Sequence, residues 1–224
     1  ENTKDITIDL NGHKLNIITT YWSNLGAKND DALFTIKNGT MTSTGNSAGT
    51  WNAWDVRFSN CNYEFENVTF EKEVALDNVG KSTTLKNVTI NGTGDKYALW
   101  ITAEGQNVTI DGLTINSDGR GIKIDEQYVD APEKVTLKIN NATFKTATKA
   151  AIVVKSVAGA EINASYLYID EVTEDNYFAV WVDEDAATYA DKVVVNGAFK
   201  AVEGTVATVS DTQGLKDALA GGKS

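Results

Sequence analysis

The chain is poor in the residues that cross-link or interrupt a fold. Its 224 residues include one cysteine, one proline, one methionine and one histidine. A lone Cys61 excludes an intrachain disulfide, so stability rests on packing and backbone pairing, in a reducing or an oxidising compartment alike. One proline among 18 glycines leaves long stretches able to pair as strands, since proline cannot donate to a ladder. His13 has no histidine or cysteine companion, which argues against a metal site or a nucleophilic triad built on it. Positive charge is scarce too: 20 Lys and Arg against 31 Asp and Glu give a net charge of −11. Such a surface repels phosphate backbones and anionic lipid, so no nucleic acid partner is expected. No stretch approaches the roughly 18 apolar residues of a membrane span, so no membrane insertion is expected. The opening Glu1-Asn2-Thr3-Lys4 lacks the basic start and apolar middle of a signal peptide, which implies a removed leader or a longer parent protein.

What is present is a repeat. An apolar–Thr–apolar run, a polar residue and an Asn or Gly corner are followed by a second alternating run. The pattern occurs as Ile6-Thr7-Ile8-Asp9-Leu10-Asn11-Gly12, Phe34-Thr35-Ile36-Lys37-Asn38-Gly39, Phe65-Glu66-Asn67-Val68-Thr69-Phe70 and Leu85-Lys86-Asn87-Val88-Thr89-Ile90. It returns as Val108-Thr109-Ile110-Asp111-Gly112-Leu113, Leu137-Lys138-Ile139-Asn140-Asn141-Ala142, Ile162-Asn163-Ala164-Ser165 and Val193-Val194-Val195-Asn196-Gly197. Apolar residues alternate with a period of two inside each copy, which is the strand signature. A sandwich gives no reason for the same amide at the same place in each copy. A solenoid does, because equivalent residues stack about 4.8 Å apart and their amides can bond from coil to coil. Asn11, Asn38, Asn67, Asn87, Asn140, Asn163 and Asn196 are the expected ladder. Further strands, Ala98–Ile101, Gly121–Ile124, Ala151–Val154 and Ala179–Val182, fill one slot per copy, giving three strands per coil.

On these NVT and NG corners, residues 5 to 200 resemble the pectate-lyase-like superfamily of right-handed parallel β-helices, of the bacterial or archaeal surface-protein type. The resemblance implies an all-β, right-handed, single-stranded parallel β-helix of about eight coils. It does not choose a function, because such folds serve polysaccharide lyases and hydrolases, phage tailspikes, adhesins and structural modules.

The end of the chain departs from the repeat. Val206–Val209 reads as a strand, and Ser210-Asp211 caps an amphipathic helix with Leu215, Ala218 and Leu219 on one face before Gly221-Gly222. This divides the chain into a β-helix, 1–205, and a strand with a cap-like helix, 206–224. The helix resembles the cap at the start of bacterial β-helix domains, here after the coils instead of before them. Ile6, Ile8, Leu10, Val206, Val209, Leu215 and Leu219 are therefore expected to make an end-to-end contact, with copies of the chain or with adjacent repeats.

Three side-chain groups remain. Asn38, Asn67, Asn87, Asn91, Asn107, Asn141 and Asn163 open N-x-[ST] triplets. An inward Asn corner followed by a β-branched strand spells the same triplet, and an inward Asn would be too buried for a glycan; Asn91 is the expected surface exception. Leu99 and Ile101 should point inward, which turns Trp100, Trp181, Lys123, Val153 and Arg57 outward in one row, with Trp51 and Trp54 just before it. Such a face can stack on sugar rings, bury against a partner, or lie beneath loops. Glu104, Asp125, Glu126, Asp183, Glu184 and Asp185 flank it. These carboxylates could hold Ca²⁺ or act as acid and base, or form a solvated rim. The resemblance to lyases implies Ca²⁺ carboxylates beside a base, for which Arg57, Lys123 and Arg120 are the nearby basic residues. No cofactor is otherwise expected, and Cys61 reads as core packing. Together these features point to a non-catalytic structural or adhesive module on a bacterial or archaeal cell surface, in an end-to-end array or filament. The second expectation is a glycan-binding or glycan-cleaving face at Trp100 and Trp181.

Overall fold

A computed structural model describes residues 4–18, 31–44, 56–77, 81–92, 97–117, 119–126, 129–146, 150–165, 167–170, 178–182, 192–197 and 200–201. It is an all-β parallel solenoid. The first sheet stacks β1 (Ile6–Asp9), β3 (Leu33–Thr44), β5 (Asn62–Phe70), β7 (Ser82–Gly92), β9 (Asn107–Ser117), β11 (Val135–Thr146), β13 (Ala160–Ala164) and β16 (Val193–Gly197), in that order. Short strands β2 (Lys14–Ile18), β14 (Leu167–Asp170) and β17 (Lys200–Ala201) continue the stack past the corner: β2 pairs with the second half of β3, β14 with that of β11, and β17 with β14. The second sheet stacks β4 (Val56–Ser59), β6 (Val74–Asp77), β8 (Tyr97–Thr102), β10 (Arg120–Asp125), β12 (Ala150–Lys155) and β15 (Phe178–Val182). The described pairings of both sheets are parallel, as a chain winding in one sense requires.

Two differences from the sequence expectation follow. The six strands of the second sheet bound about five full turns, fewer than eight coils. The expected third-slot strands, at 98–101, 121–124, 151–154 and 179–182, lie within β8, β10, β12 and β15 of the second sheet, whereas the two runs that flank the corner are halves of one long strand in five copies. β3, β5, β7, β9 and β11 run through the corner with the same partner strands on both sides, while the corner residue itself falls between the paired positions. The expected C-terminal strand and helix, with Val206, Val209, Leu215 and Leu219, lie outside the described residues.

The core is a column of like side chains. In register, Ile8, Ile36, Phe65, Leu85, Ile110, Ile139 and Ala164 follow one another, and from Ile36 to Ile110 they are 0 % exposed. Phe58, Tyr63, Phe65 and Phe70 pack edge to face or stacked with centroids 4.8 to 6.1 Å apart. Cys61 is buried in this core. Burial of so continuous a column is the main stabilising term, at about 25 cal/mol per Å² of apolar surface.

Candidate functional site

The corners come first, because they decide which side chains face water. Among the described residues, the non-glycine positions with positive φ are Asn11, Asn38, Asn60, Asn67, Asn87 and Asn141, at 47 to 66°. That left-handed conformation costs most L-residues about 1–2 kcal/mol and suits Asn, whose short amide bonds locally. The ladder runs along the outer surface: Asn67, Asn87 and Asn140 are exposed, Asn38 and Asn163 half-buried. This corrects the inward, buried ladder, which followed from carrying strand alternation through a corner that is not extended.

The ladder is in three pieces. Asn38 Nδ2 donates to the Asp9 carboxylate at 3.2 Å, Asn67 to Asn38 Oδ1 at 3.1 Å and Asn87 to Asn67 Oδ1 at 2.8 Å. Gly112 stands at the next position in register and ends the run. Asn140 donates to Asp111 at 2.8 Å, one residue earlier in the corner, and Asn196 to Asn163 at 2.9 Å. Asn163 donates in turn to Glu161 at 3.1 Å. Each piece thus ends on a carboxylate. Asn11 is not a rung; its backbone N–H donates to Asp9 at 3.0 Å. That N–H, then the Asn38 amide, holds the Asp9 carboxyl below its ordinary pKa. The amide of Asn163, then Lys134, does the same for Glu161.

Two outer rows of this sheet went unnoticed in the sequence. Asp9, Lys37, Glu66, Lys86 and Asp111 are successive partners, alternating in sign. Lys37 lies 3.6 Å from Asp9, while Lys86 reaches Glu64. Thr40, Thr69, Thr89, Thr114 and Thr143 form a second row. The signal was available: the residue before Asn38, Asn67 and Asn87 is charged, with the sign changing from copy to copy.

The second sheet carries the expected row. Arg57, Ala75, Trp100, Lys123, Val153 and Trp181 are consecutive partners. Unlike the first sheet's outer face, this one is enclosed. Trp100 is 2 % exposed, its ring 6.0 Å from the Arg57 guanidinium. Arg57 pairs with Asp77, and Lys123 with Asp125, which is 5 % exposed. Tyr97, Ala150 and Val153 form a small apolar cluster on which the partly buried Trp181 packs. Arg120 and Lys123 lie 5.0 and 5.3 Å from the Tyr97 ring. No sugar can stack on Trp100 in this arrangement; Trp181 is the ring of the row that reaches the surface. Trp51 and Trp54 lie outside the described residues.

The flanking carboxylates are used internally. Glu104 accepts from Thr102 Oγ1 at 2.7 Å, and Glu126 from the Val157 N–H. Burial, helped by the nearby Asp77 charge, pushes the Glu104 carboxyl above its ordinary pKa. Among the described residues, no three His, Cys, Asp or Glu side chains gather as a metal site, and Asp183, Glu184 and Asp185 are not among them. His13 is exposed at the first corner, where its carbonyl accepts from Thr40.

The two ends differ as well. Of the inward residues, Ile6 on β1 is 41 % exposed, its partner Phe34 8 % and the next partner Tyr63 1 %. Ile8 is half-buried and Leu10 8 % exposed. At the other end, Val193 and Val195 on β16 are 3 % and 2 % exposed. Against this geometry, no family model matches the chain, and neither a curated protein nor a solved structure matches it.

Proposed function

We propose that the chain is a non-catalytic structural or adhesive module of a bacterial or archaeal cell surface. It stacks end to end with copies of itself or with adjacent repeats. The β-helix is read as right-handed and of the pectate-lyase-like kind, on the strength of the NVT and NG corners. The observation that carries the reading is the open coil at β1. Its core column meets solvent at Ile6, and its outer edge has no strand partner among the described residues. Apolar ends and free strand edges associate. The enclosed ion pairs and internally bonded carboxylates support a stabilising role for polar groups that would otherwise suggest catalysis.

Size-exclusion chromatography with light scattering tests this. A mass above the 24.2 kDa of one chain that rises with concentration, and rods in negative stain, are expected. Ile6→Asp should abolish both. A particle that stays monomeric at high concentration sinks the reading. Trp181, partly exposed beside Tyr97 and Lys123, favours glycan binding as a second reading. It predicts quenching of tryptophan fluorescence by neutral or acidic glycans and loss of quenching in Trp181→Ala. A flat response across a broad panel removes it.

A further inference from the structure

We infer that Asn107 and Asn141 are acceptor sites for an N-linked glycan, a modification that rests on the cell-surface reading above. Seven asparagines open N-x-[ST] triplets, and the fold sorts them by what their amide nitrogen already does. That nitrogen is the atom a glycan must be joined to. Asn38, Asn67, Asn87 and Asn163 each donate through Nδ2 to a neighbouring side chain. A sugar on one rung would also stand against the next rung, about 4.8 Å away. Asn91 is half-buried and accepts from Asn116 at 3.0 Å. Thr93, the last residue of that triplet, is not among the described residues.

Asn107 and Asn141 differ in both respects. They are exposed, and their side-chain amides bond to no described residue. The cause at Asn141 is visible in the register. Its partner position on the coil before is Gly112, which offers no amide to receive its proton and no side chain to crowd a sugar. The ladder passes instead through Asn140 to Asp111. At Asn107 the neighbours in register are the exposed Ser82 and the half-buried Thr136, both short. Thr109 and Thr143 complete the two triplets on the same outer face, Thr109 exposed and Thr143 half-buried. The donor is a lipid diphosphate-linked oligosaccharide. The amide nitrogen forms a bond to the sugar C1 as the C1–O bond to the diphosphate breaks. The lipid diphosphate leaves with the electron pair, and one amide proton passes to a base of the transferring enzyme.

The test is secretion of the full chain from a eukaryotic host behind a leader peptide, with peptide mapping. Enzymatic release in heavy-oxygen water marks each occupied Asn as labelled Asp. Occupancy at Asn107 and Asn141, with Asn38, Asn67, Asn87 and Asn163 bare in the folded fraction, is the expected result. Thr109→Ala and Thr143→Ala should each remove one glycan without altering either Asn. Bare Asn107 and Asn141, or equal occupancy at the rungs, overturns the inference. Cell fractionation of the source reads the surface location separately, so a protein found inside the cell defeats the location while the host mapping still decides the sites.

Discussion

The outer faces of the two sheets are built by one repeat, yet they treat charge in opposite ways. On the first, carboxylates, lysines and amides form exposed or half-buried rows, and Asn38, Asn67, Asn87, Lys37 and Lys86 each reach to the coil before. On the second, Arg57, Asp77, Lys123 and Asp125 are paired beside Trp100 and largely withdrawn from water. The first face can lose a partner to solvent at little cost. The second cannot, because a charge left alone there has no water to replace its partner.

Four experiments sharpen or break that contrast. The largest effect belongs to the enclosed face: Asp125→Ala should lower unfolding free energy by about 3–5 kcal/mol in denaturant melts, since it strands Lys123. On the open face, Glu64→Ala should cost below about 1 kcal/mol although it too breaks an ion pair. Equal losses would erase the distinction. Next is Gly121→Val. A Cβ there would come within 3.0 Å of Phe144 Cδ1 and against the Ala151 carbonyl, so overpacking should cost about 1–3 kcal/mol. Third, Asn67→Ala should cost about 1–2 kcal/mol, from a left-handed Ala and two lost amide bonds. Asn67→Gly, which tolerates the backbone, should recover part of it, and thermal melts of both variants give the order.

The smallest effect is a difference of sign. Asp9 and Glu161 have folded pKa values below their unfolded ones. Their contribution is present above the unfolded value and lost as pH falls through the folded one. Glu104 is raised, so it weakens the fold at neutral pH and ceases to do so as pH falls through its folded value. Tm against pH should therefore fall less steeply in acid for Asp9→Asn than for the parent chain. Glu104→Gln should raise Tm at neutral pH and converge with the parent in acid. A Glu104→Gln curve parallel to the parent's would count against the enclosed carboxyl.

Why one face was legible and the other was not follows from backbone geometry. Alternation held wherever the chain is extended: the Arg57-to-Trp181 row is in the expected register. It failed at the corners, where φ near 55° at Asn67 and Asn87 turns an inward expectation outward. It also misplaced the first rung. Asn11 matches the other corners by motif, but Asp9 takes the bond, because pairing counts residues along the strand and not along the motif. The enclosure of Trp100 had no local signal at all. It depends on what lies over the sheet, which the alternation of a single strand does not encode. The open end at Ile6 was readable in kind, though its contrast with Val193 and Val195 was not.

The ladder has one last consequence. In each bonded pair of rungs the later coil's N–H points back toward the earlier coil's oxygen, from Asn87 to Asn67 to Asn38. The amide dipoles are therefore aligned and add along the solenoid axis, positive toward the first coil. Asp9 stands at that positive pole as an acidic residue stands at the start of an α-helix. The rod thus has an electrical direction as well as a chain direction. Units joined head to tail extend that field, whereas units joined head to head set two positive poles, and two Asp9 carboxylates, against each other.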